Sequence, residues 1–481
     1  MVVNLLVTTK KGPKGSRAKV ISELRETQKH SGQAVRSSHS PPGSPKDPRT
    51  PGLLTADLVD QCTETFFAHM YPTMPILDLK QIKMTMAEVN QSIEAYCLLC
   101  SLAALVMIQP GIDQKPVSNG TCSVSPTTNL ALGVSLMEEA VRVRKLLDYV
   151  ESPSITTVIT SFFLFGCSFG LNKQNTAWIH LREATALAQL LGMQDEGTYM
   201  AGDCIQNSIR RRLFWLLFVT ERAYALQKHK PLTLHATIEL PFLDPEPRDS
   251  ITGFYHLVNL YRPFDDTFVG LWNKSRSDCS AFWLAQLQRQ LSEALPIYLN
   301  TTESQAADLR TSQQWLRTLV WQLSIANGCL SSSSPEAAMT FTYPIEIAKD
   351  LVALTGQLSQ QSMEIHGVGL IEKLFDVACA LVDVMSLPIN PANSELGPLD
   401  YLTQLINLIS TLRGGESRYL PLIIAKIRDT LPALSSPVIR SLNTEISNGC
   451  KLVSRKRSNS SNSSASSPFS TPPFMLYYPL P

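Results

Sequence analysis

Charge is scarce and nearly balanced in this 481-residue chain: 42 Lys/Arg stand against 41 Asp/Glu, and charged residues make up only 17%. A nucleic-acid coat that is basic along its whole length is excluded by that balance. With 31 prolines and so little charge, a long coiled-coil rod is excluded as well. No sustained period-two run bounded by turn signals is present, and strands do not alternate with helices, so the common sheet-based enzyme folds are not expected. Cysteine is sparse at the start, with none before Cys62, and the ten in the chain are scattered through apolar stretches such as Tyr96 to Val106. That distribution reads as reduced core thiols, not a disulfide framework. In Met1–Thr9 the apolar residues precede Lys10 and Lys11, the reverse of a secretory leader, so an intracellular chain is expected and the N-x-S/T matches at Asn119, Asn273 and Asn300 are read as chance.

What is present is apolar material, 44% of the chain, ample for a sizeable core. The uncharged stretch Ser152 to Asn172 has the length to span a bilayer, about 20 residues. It carries Ser154, Thr156, Thr157, Thr160, Ser161 and Ser168 and no aromatic or basic anchors, and it is read as a buried helix with no membrane contact.

Charge and composition divide the chain. Residues 1–36 hold eight Lys/Arg against Glu23 and Glu26, while the remainder is mildly acidic. Such an arm meets a polyanion or is simply a solvated tail, and charge alone leaves both readings open. Residues 37–52 form a Pro/Ser linker unable to bury enough apolar surface to fold, and 451–481 is a low-complexity tail. Between them, 53–450 is predicted to be a folded, all-α body. Thr55 can cap a helix with Leu58, Val59, Cys62, Phe66, Phe67 and Met70 on one face. Further helical spacing runs through 92–108, 129–149, 155–171, 176–191, 209–226, 282–299, 313–330, 343–358, 371–385, 401–412 and 420–434.

The motifs that resemble catalytic machinery fail on context. Gly166-Cys167-Ser168-Phe169-Gly170 fits a nucleophile elbow, but such a serine needs a strand-to-helix turn, and an apolar helical run surrounds it here. Cys97 and Cys100 offer two thiols where a structural zinc site needs about four ligands. Asp265-Asp266 lacks the further carboxylates of a magnesium–diphosphate site, with Phe268 and Val269 one turn on. No phosphate-cradling glycine loop or clustered histidine motif is present. No catalytic residue, cofactor or metal ligand is assigned, and the chain is not expected to be an enzyme. The arginines of Arg210-Arg211-Arg212-Leu213-Phe214-Trp215 read, by themselves, as a solvated face or as ion-paired bundle residues.

Taken together, Ala177–Met193 (AWIHLREATALAQLLGM), Arg210–Leu234 and Ile238–Pro241 resemble the regulatory domain of fungal zinc-cluster transcription factors of the sugar- and quinate-regulator type, over roughly residues 53 to 300. The signature helix is Arg210, Arg211, Arg212, Leu213 and Trp215, leading to a turn whose Gly-Arg-Pro is replaced by His229-Lys230-Pro231. Lys10, Lys11, Lys14, Arg17 and Lys19 look like the basic linker that follows the cluster in such regulators. The family's six-cysteine, two-zinc segment is expected to be absent from the chain as given, and zinc is expected only with such a segment. Without it the arm would contact phosphates weakly and without sequence preference.

The resemblance implies a nuclear regulator of carbon utilisation or of a secondary-metabolite gene cluster, working with the transcription machinery. Its inducer pocket, if it has one, is expected among helices 92–108, 155–171 and 209–226. Val20, Ile21 and Leu24 could start a short dimer helix, giving a homo- or heterodimer with related regulators. Arg455, Lys456 and Arg457 form a candidate nuclear import signal, with Ser458 beside them as a candidate kinase site. The alternatives are an all-α small-molecule carrier or enzyme, and a truncated paralogue acting through heterodimers.

Overall fold

A computed structural model of the chain describes residues 48–109, 126–200, 202–241, 249–387 and 397–432. The basic-arm residues Lys10, Lys11, Lys14, Arg17 and Lys19, the candidate dimer residues Val20, Ile21 and Leu24, and the tail with Arg455, Lys456 and Arg457 lie outside them.

The described residues build seventeen α-helices and no strand, as the periodicity predicts. In chain order they are α1 (Ala56–Thr65), α2 (Leu79–Glu88), α3 (Ile93–Ile108), α4 (Pro126–Val143), α5 (Ile155–Gly170), α6 (Gln174–Leu190), α7 (Cys204–Lys228), α8 (Asp249–Tyr261) and α9 (Asp266–Trp272). Then come α10 (Ala281–Glu293), α11 (Glu303–Ala326), α12 (Tyr343–Thr355), α13 (Gln360–Glu364), α14 (Gly367–Met385), α15 (Pro398–Thr411), α16 (Gly415–Arg418) and α17 (Leu420–Thr430).

The helix starts are written in short polar side chains that bond the otherwise unpaired first-turn N–H groups. Thr55 accepts from the Leu58 amide, Asp78 from Gln81, Ser92 from Ala95, Asp265 from Thr267 and Phe268, and Thr302 from Gln305. Asp265 is thus a helix cap, and its neighbour Asp266 faces His235 at 3.3 Å. One π-helical turn, Phe66–Met70, closes α1 before Pro72.

Several boundaries differ from the predicted ones. α10 stops at Glu293, short of Pro296, whereas a run to Leu299 is predicted from the apolar spacing. α11 begins ten residues before the predicted Gln313, because its first turns bury polar groups, Gln305, Thr311 and Ser312, that hydropathy alone treats as solvent-facing. α2, α8, α9, α13 and α16 carry no predicted counterpart.

Two apolar clusters form the core, one gathered from Leu58 to Met339 and the other from Tyr343 to Leu431. α11 belongs to both: Trp315, Leu316 and Leu319 pack into the first, Ala307 and Trp321 into the second. α3, apolar on every side, is buried from Ala95 to Ile108 at the centre of the first cluster. Beside it α5, the uncharged run, is 16 residues long and mostly buried; no described helix is long and apolar enough to cross a membrane.

Candidate functional site

The arginine-rich helix acts as a clamp. Behind α7 the chain turns at His229, which takes the left-handed backbone (φ 51°) that glycine adopts without strain. Its ring stacks on Trp272 at 5.6 Å and 11°, and its Nδ1 lies 3.2 Å from Asn273 Oδ1, contacts that offset the backbone strain. Residues 230–241 then run back along α7 as an irregular strap whose backbone groups need partners. α7 supplies them. Glu221, fully buried, accepts from the amides of Thr233 (3.0 Å) and Leu234 (2.9 Å), from the Thr233 hydroxyl, and from Arg182 Nη1 at 3.0 Å. Arg222 Nη1 donates to the Leu234 carbonyl at 3.1 Å and lies over the Phe218 ring; burial pulls its guanidinium down to about 10.

About two and three turns earlier, Trp215 Nε1 and Arg211 Nη1 both donate to the Glu239 carbonyl, at 2.8 and 3.0 Å. Arg211 also grips Glu196, whose carboxylate accepts from the Glu239 amide; the Arg211 guanidinium holds that carboxyl below its usual range. Leu213 is fully buried, Arg212 reaches Ser208 O and the Tyr71 hydroxyl, Arg210 is half-buried, and Pro231 is exposed on the strap. Arg211 and Trp215 therefore fasten the strap, none of the signature residues lines the cleft, and a solvated face does not describe Arg211.

The cavity lies on the other side of α7. A cleft of about 230 Å³ opens among α3, α5, α7 and α8, closed by the end of α13 and the start of α14. Leu105 comes from α3, Phe162, Phe165 and Phe169 from α5, Leu216, Val219, Ala223 and Tyr224 from α7, and Leu257 and Tyr261 from α8. This is the meeting point of the three helices singled out from the sequence for an inducer. At Gly166 α5 lies close on α3: a Cβ there would stand 2.6 Å from Leu105 Cδ1, so a larger residue would have to push the end of that leucine side chain aside. The motif around it is helical throughout. Ser168, fully buried, meets His180 Nδ1 at 3.2 Å, out of reach of the cleft's solvent.

One wall is aromatic. Phe165 stacks on Phe169 at 5.8 Å and meets Tyr224 edge-on at 5.9 Å, and Tyr224 stacks on Trp178 behind it. The inner end is polar. Lys373 Nζ donates to Asp308 Oδ1 at 2.9 Å and to Ser312 Oγ at 2.7 Å, and Ser312 donates to the same Asp308 oxygen at 3.1 Å. Burial by itself would raise the Asp308 carboxyl, but the Lys373 ammonium, His366 and these hydrogen bonds bring it down to about 2. Burial lowers His366, whose Nε2 lies 2.8 Å from the Ser304 carbonyl, so the ring is neutral at pH 7 and donates from that nitrogen. The side-chain amides of Gln109 and Gln227 also line the cleft and hydrogen-bond to no described residue.

Asp308, His366, Lys373, Gln109 and Gln227 were not singled out by sequence. A lone lysine flanked by Glu372 and Asp376 in the apolar run 367–385 was the available signal, since charges there must find partners.

Near the cleft, the seam between the two clusters holds more charge. Glu372 Oε1 gathers Lys228 of α7 (3.2 Å), Arg418 (3.3 Å) and the Tyr419 hydroxyl (2.8 Å). One turn on, Asp376 accepts from Trp315 Nε1 at 2.8 Å; burial, reinforced by the Glu372 carboxylate, pushes its carboxyl up to about 7 against the pull of Trp315 and Lys228. An acid raised this way holds its proton in the folded state where the unfolded chain, near 3.8, has lost it. Stability therefore falls as pH rises from about 4 through 7. Asp376→Asn, which keeps an acceptor for Trp315, is expected to flatten that slope and to add about 1–2 kcal/mol at pH 7.5, read from denaturant unfolding at several pH values. An unchanged slope would place the titration elsewhere.

Among the described residues no three His, Cys, Asp or Glu side chains converge on a possible metal position, so a two-zinc cluster finds no donors there. Cys97 and Cys100 are buried in α3, and burial pushes the Cys97 thiol up to about 12.

Comparison with known proteins agrees with this architecture. Residues 63–324 match the fungal specific transcription factor domain. A probable sucrose utilization protein of Candida albicans is 26% identical over 77% of this chain and 73% of its own. A maltose fermentation regulatory protein of Saccharomyces cerevisiae is 24% identical over 78% and 76%, and a respiratory transcription factor of the same yeast 24% over 89% and 88%. With more than half of its length inside the matched domain, the chain belongs to the fungal-specific transcription factor family, and it is a transcriptional regulator of fungal metabolism.

Proposed function

We propose that this regulator controls carbon utilisation and that its helical domain is switched by a small hydroxylated molecule, a sugar or a close derivative, held in the cleft. The observation that carries the reading is the pairing of an aromatic wall with two unengaged amides and a locked ion pair inside one cleft. Apolar ring faces stack against the C–H face of a sugar, while Gln109, Gln227 and the Asp308–Lys373 pair can exchange hydrogen bonds with its hydroxyls. The same groups are poor catalysts. The carboxylate is neutralised by its lysine, and His366 is committed to a backbone carbonyl. Relatives named for sucrose and maltose utilisation favour this reading over secondary metabolism.

In this reading the protein works in the nucleus, with Arg455, Lys456 and Arg457 as an import signal and with Lys10, Lys11, Lys14, Arg17 and Lys19 adding salt-sensitive phosphate contacts to DNA. Pairing with a second regulator and contact with the transcription machinery complete the scheme.

Ala223→Phe tests it. The residue is half-buried on the cleft side of α7, so a phenyl ring fills the cleft without opening the core. In the full-length protein, a panel of glucose, sucrose and maltose is expected to raise Tm of the wild type, by about 2.7 kcal/mol of added stability at a hundredfold excess over Kd. The variant should keep its own Tm, lose that response, and lose at least tenfold of sugar-dependent reporter transcription. Full induction in the variant would refute the cleft as the sensing site. A carrier without a role in transcription would bind sugar and leave the reporter unmoved.

A further inference from the structure

Two half-buried thiols meet where α10 begins and α11 ends. α10 and α11 run antiparallel, and two buried hydrogen bonds fix their register: Gln288 Nε2 to Arg317 O at 2.9 Å, and Gln313 Nε2 to Leu291 O at 2.7 Å. Carried back to the start of α10, that register places residue 279 beside the last turn of α11. Cys279 sits there, just before the Ser280 cap, and Cys329 follows α11 after the tight turn at Gly328 (φ 64°). Both side chains pack half-buried on the first cluster, with the Cys329 sulfur near enough to act on the Cys279 thiol, and Cys329 Sγ also donates to Asn327 O at 3.6 Å. Both ends are anchored. The Cys329 amide bonds Ser324 O at 2.9 Å, and the Cys279 amide bonds Ser277 O at 3.1 Å. Cys62, Cys97, Cys100, Cys167 and Cys379 are buried, and Cys204 is exposed.

We propose that Cys279 and Cys329 are a site of reversible oxidation by hydrogen peroxide, forming one disulfide that ties the start of α10 to the end of α11. Burial and the neighbouring sulfur push the Cys279 thiol up to about 11, which disfavours its thiolate as the first nucleophile. Cys329 gives its proton to solvent, and its sulfur attacks the O–O bond of the peroxide. An S–O bond forms, the O–O bond breaks, and the departing hydroxide takes up a proton as water. Cys279 sulfur then attacks the sulfenic sulfur; the S–S bond forms, the S–O bond breaks, and a second water leaves with the proton of Cys279. Two thiols are oxidised and one peroxide is reduced to two waters.

The purified full-length chain, treated with hydrogen peroxide, alkylated and digested with trypsin, gives the test. The peptides spanning 277–289 and 318–349 carry these two cysteines and no others. They are expected as one cross-linked species about 2 Da lighter than the free pair, removed by dithiothreitol and missing in Cys279→Ser and Cys329→Ser. Cys204 is the internal control, since it is exposed and sits at the start of a different helix, α7. Oxidation of Cys204 with both 279 and 329 still fully alkylated, or Cys329 driven to sulfinic acid with Cys279 untouched, overturns the proposal. Sugar binding plays no part in it, so it stands or falls apart from the cleft.

Discussion

Replacing Glu221 by alanine is expected to destabilise the domain by about 3–5 kcal/mol, the range for breaking a buried ion pair by removing one partner. The carboxylate is fully buried and serves four donors at once, two of them backbone amides of the strap. Its loss leaves the Thr233 and Leu234 N–H groups without an acceptor, and each such group costs about 1–3 kcal/mol when it stays dry. Arg182, a third exposed, can turn to solvent, so the backbone groups carry most of the penalty. Glu221→Gln keeps one acceptor oxygen and should recover about half of the loss. Denaturant unfolding of the full chain, followed by the fluorescence of its six tryptophans, checks both variants. A loss below about 1 kcal/mol for the alanine variant would mean that the strap is held by packing alone.

Lys373→Met is the second large effect, about 2–4 kcal/mol, reduced from the fully buried range because the pair borders cleft water. Methionine retains most of the side-chain volume but leaves the Asp308 carboxylate with Ser312 alone. The pH dependence should change sign with it. In the wild type a carboxyl at about 2 adds stability above the unfolded value of 3.8, and that stability is lost as pH falls through 2. Without the ammonium, burial raises the carboxyl instead, and stability then declines as pH rises above 4. Asp308→Leu combined with Lys373→Met should regain most of the loss, since apolar residues replace a buried pair at little cost. A double variant no more stable than the single one would show that the two groups act through other neighbours.

Much of this organisation was legible in the residues. Leucine, alanine and aromatic spacing announced the helices, Thr55 announced a cap, and the uncharged α5 announced a buried element because its serines and threonines bond back to their own helix. The three apolar helices that meet at the cleft were legible for the same reason: a helix apolar on most sides must be central. The polar end of the cleft was not. Asp308 lies in a stretch, ESQAADLRTSQQ, that reads as a solvent face, and its partner is 65 residues away, a pairing that only the fold makes. The arginines at 210–212 left a solvated face and ion-paired bundle residues both open, because local sequence does not disclose that a return segment will reach Arg211. His229 hid its conformation, since the stacking partner that makes it tolerable, Trp272, arrives through a separate helix.

The helix common to both cores has a consequence for the boundary of the family. The match stops at residue 324, two residues before α11 ends, yet the face of α11 carrying Ala307 and Trp321 packs into the cluster built from Tyr343 to Leu431. A sequence-defined module is therefore not a self-sufficient folding unit here: cut at its edge, it would present a bare tryptophan to water. The same edge runs through the cleft. Ile365, His366 and Lys373 come from beyond it, so one side of the cleft belongs to the matched domain and the other to residues outside it.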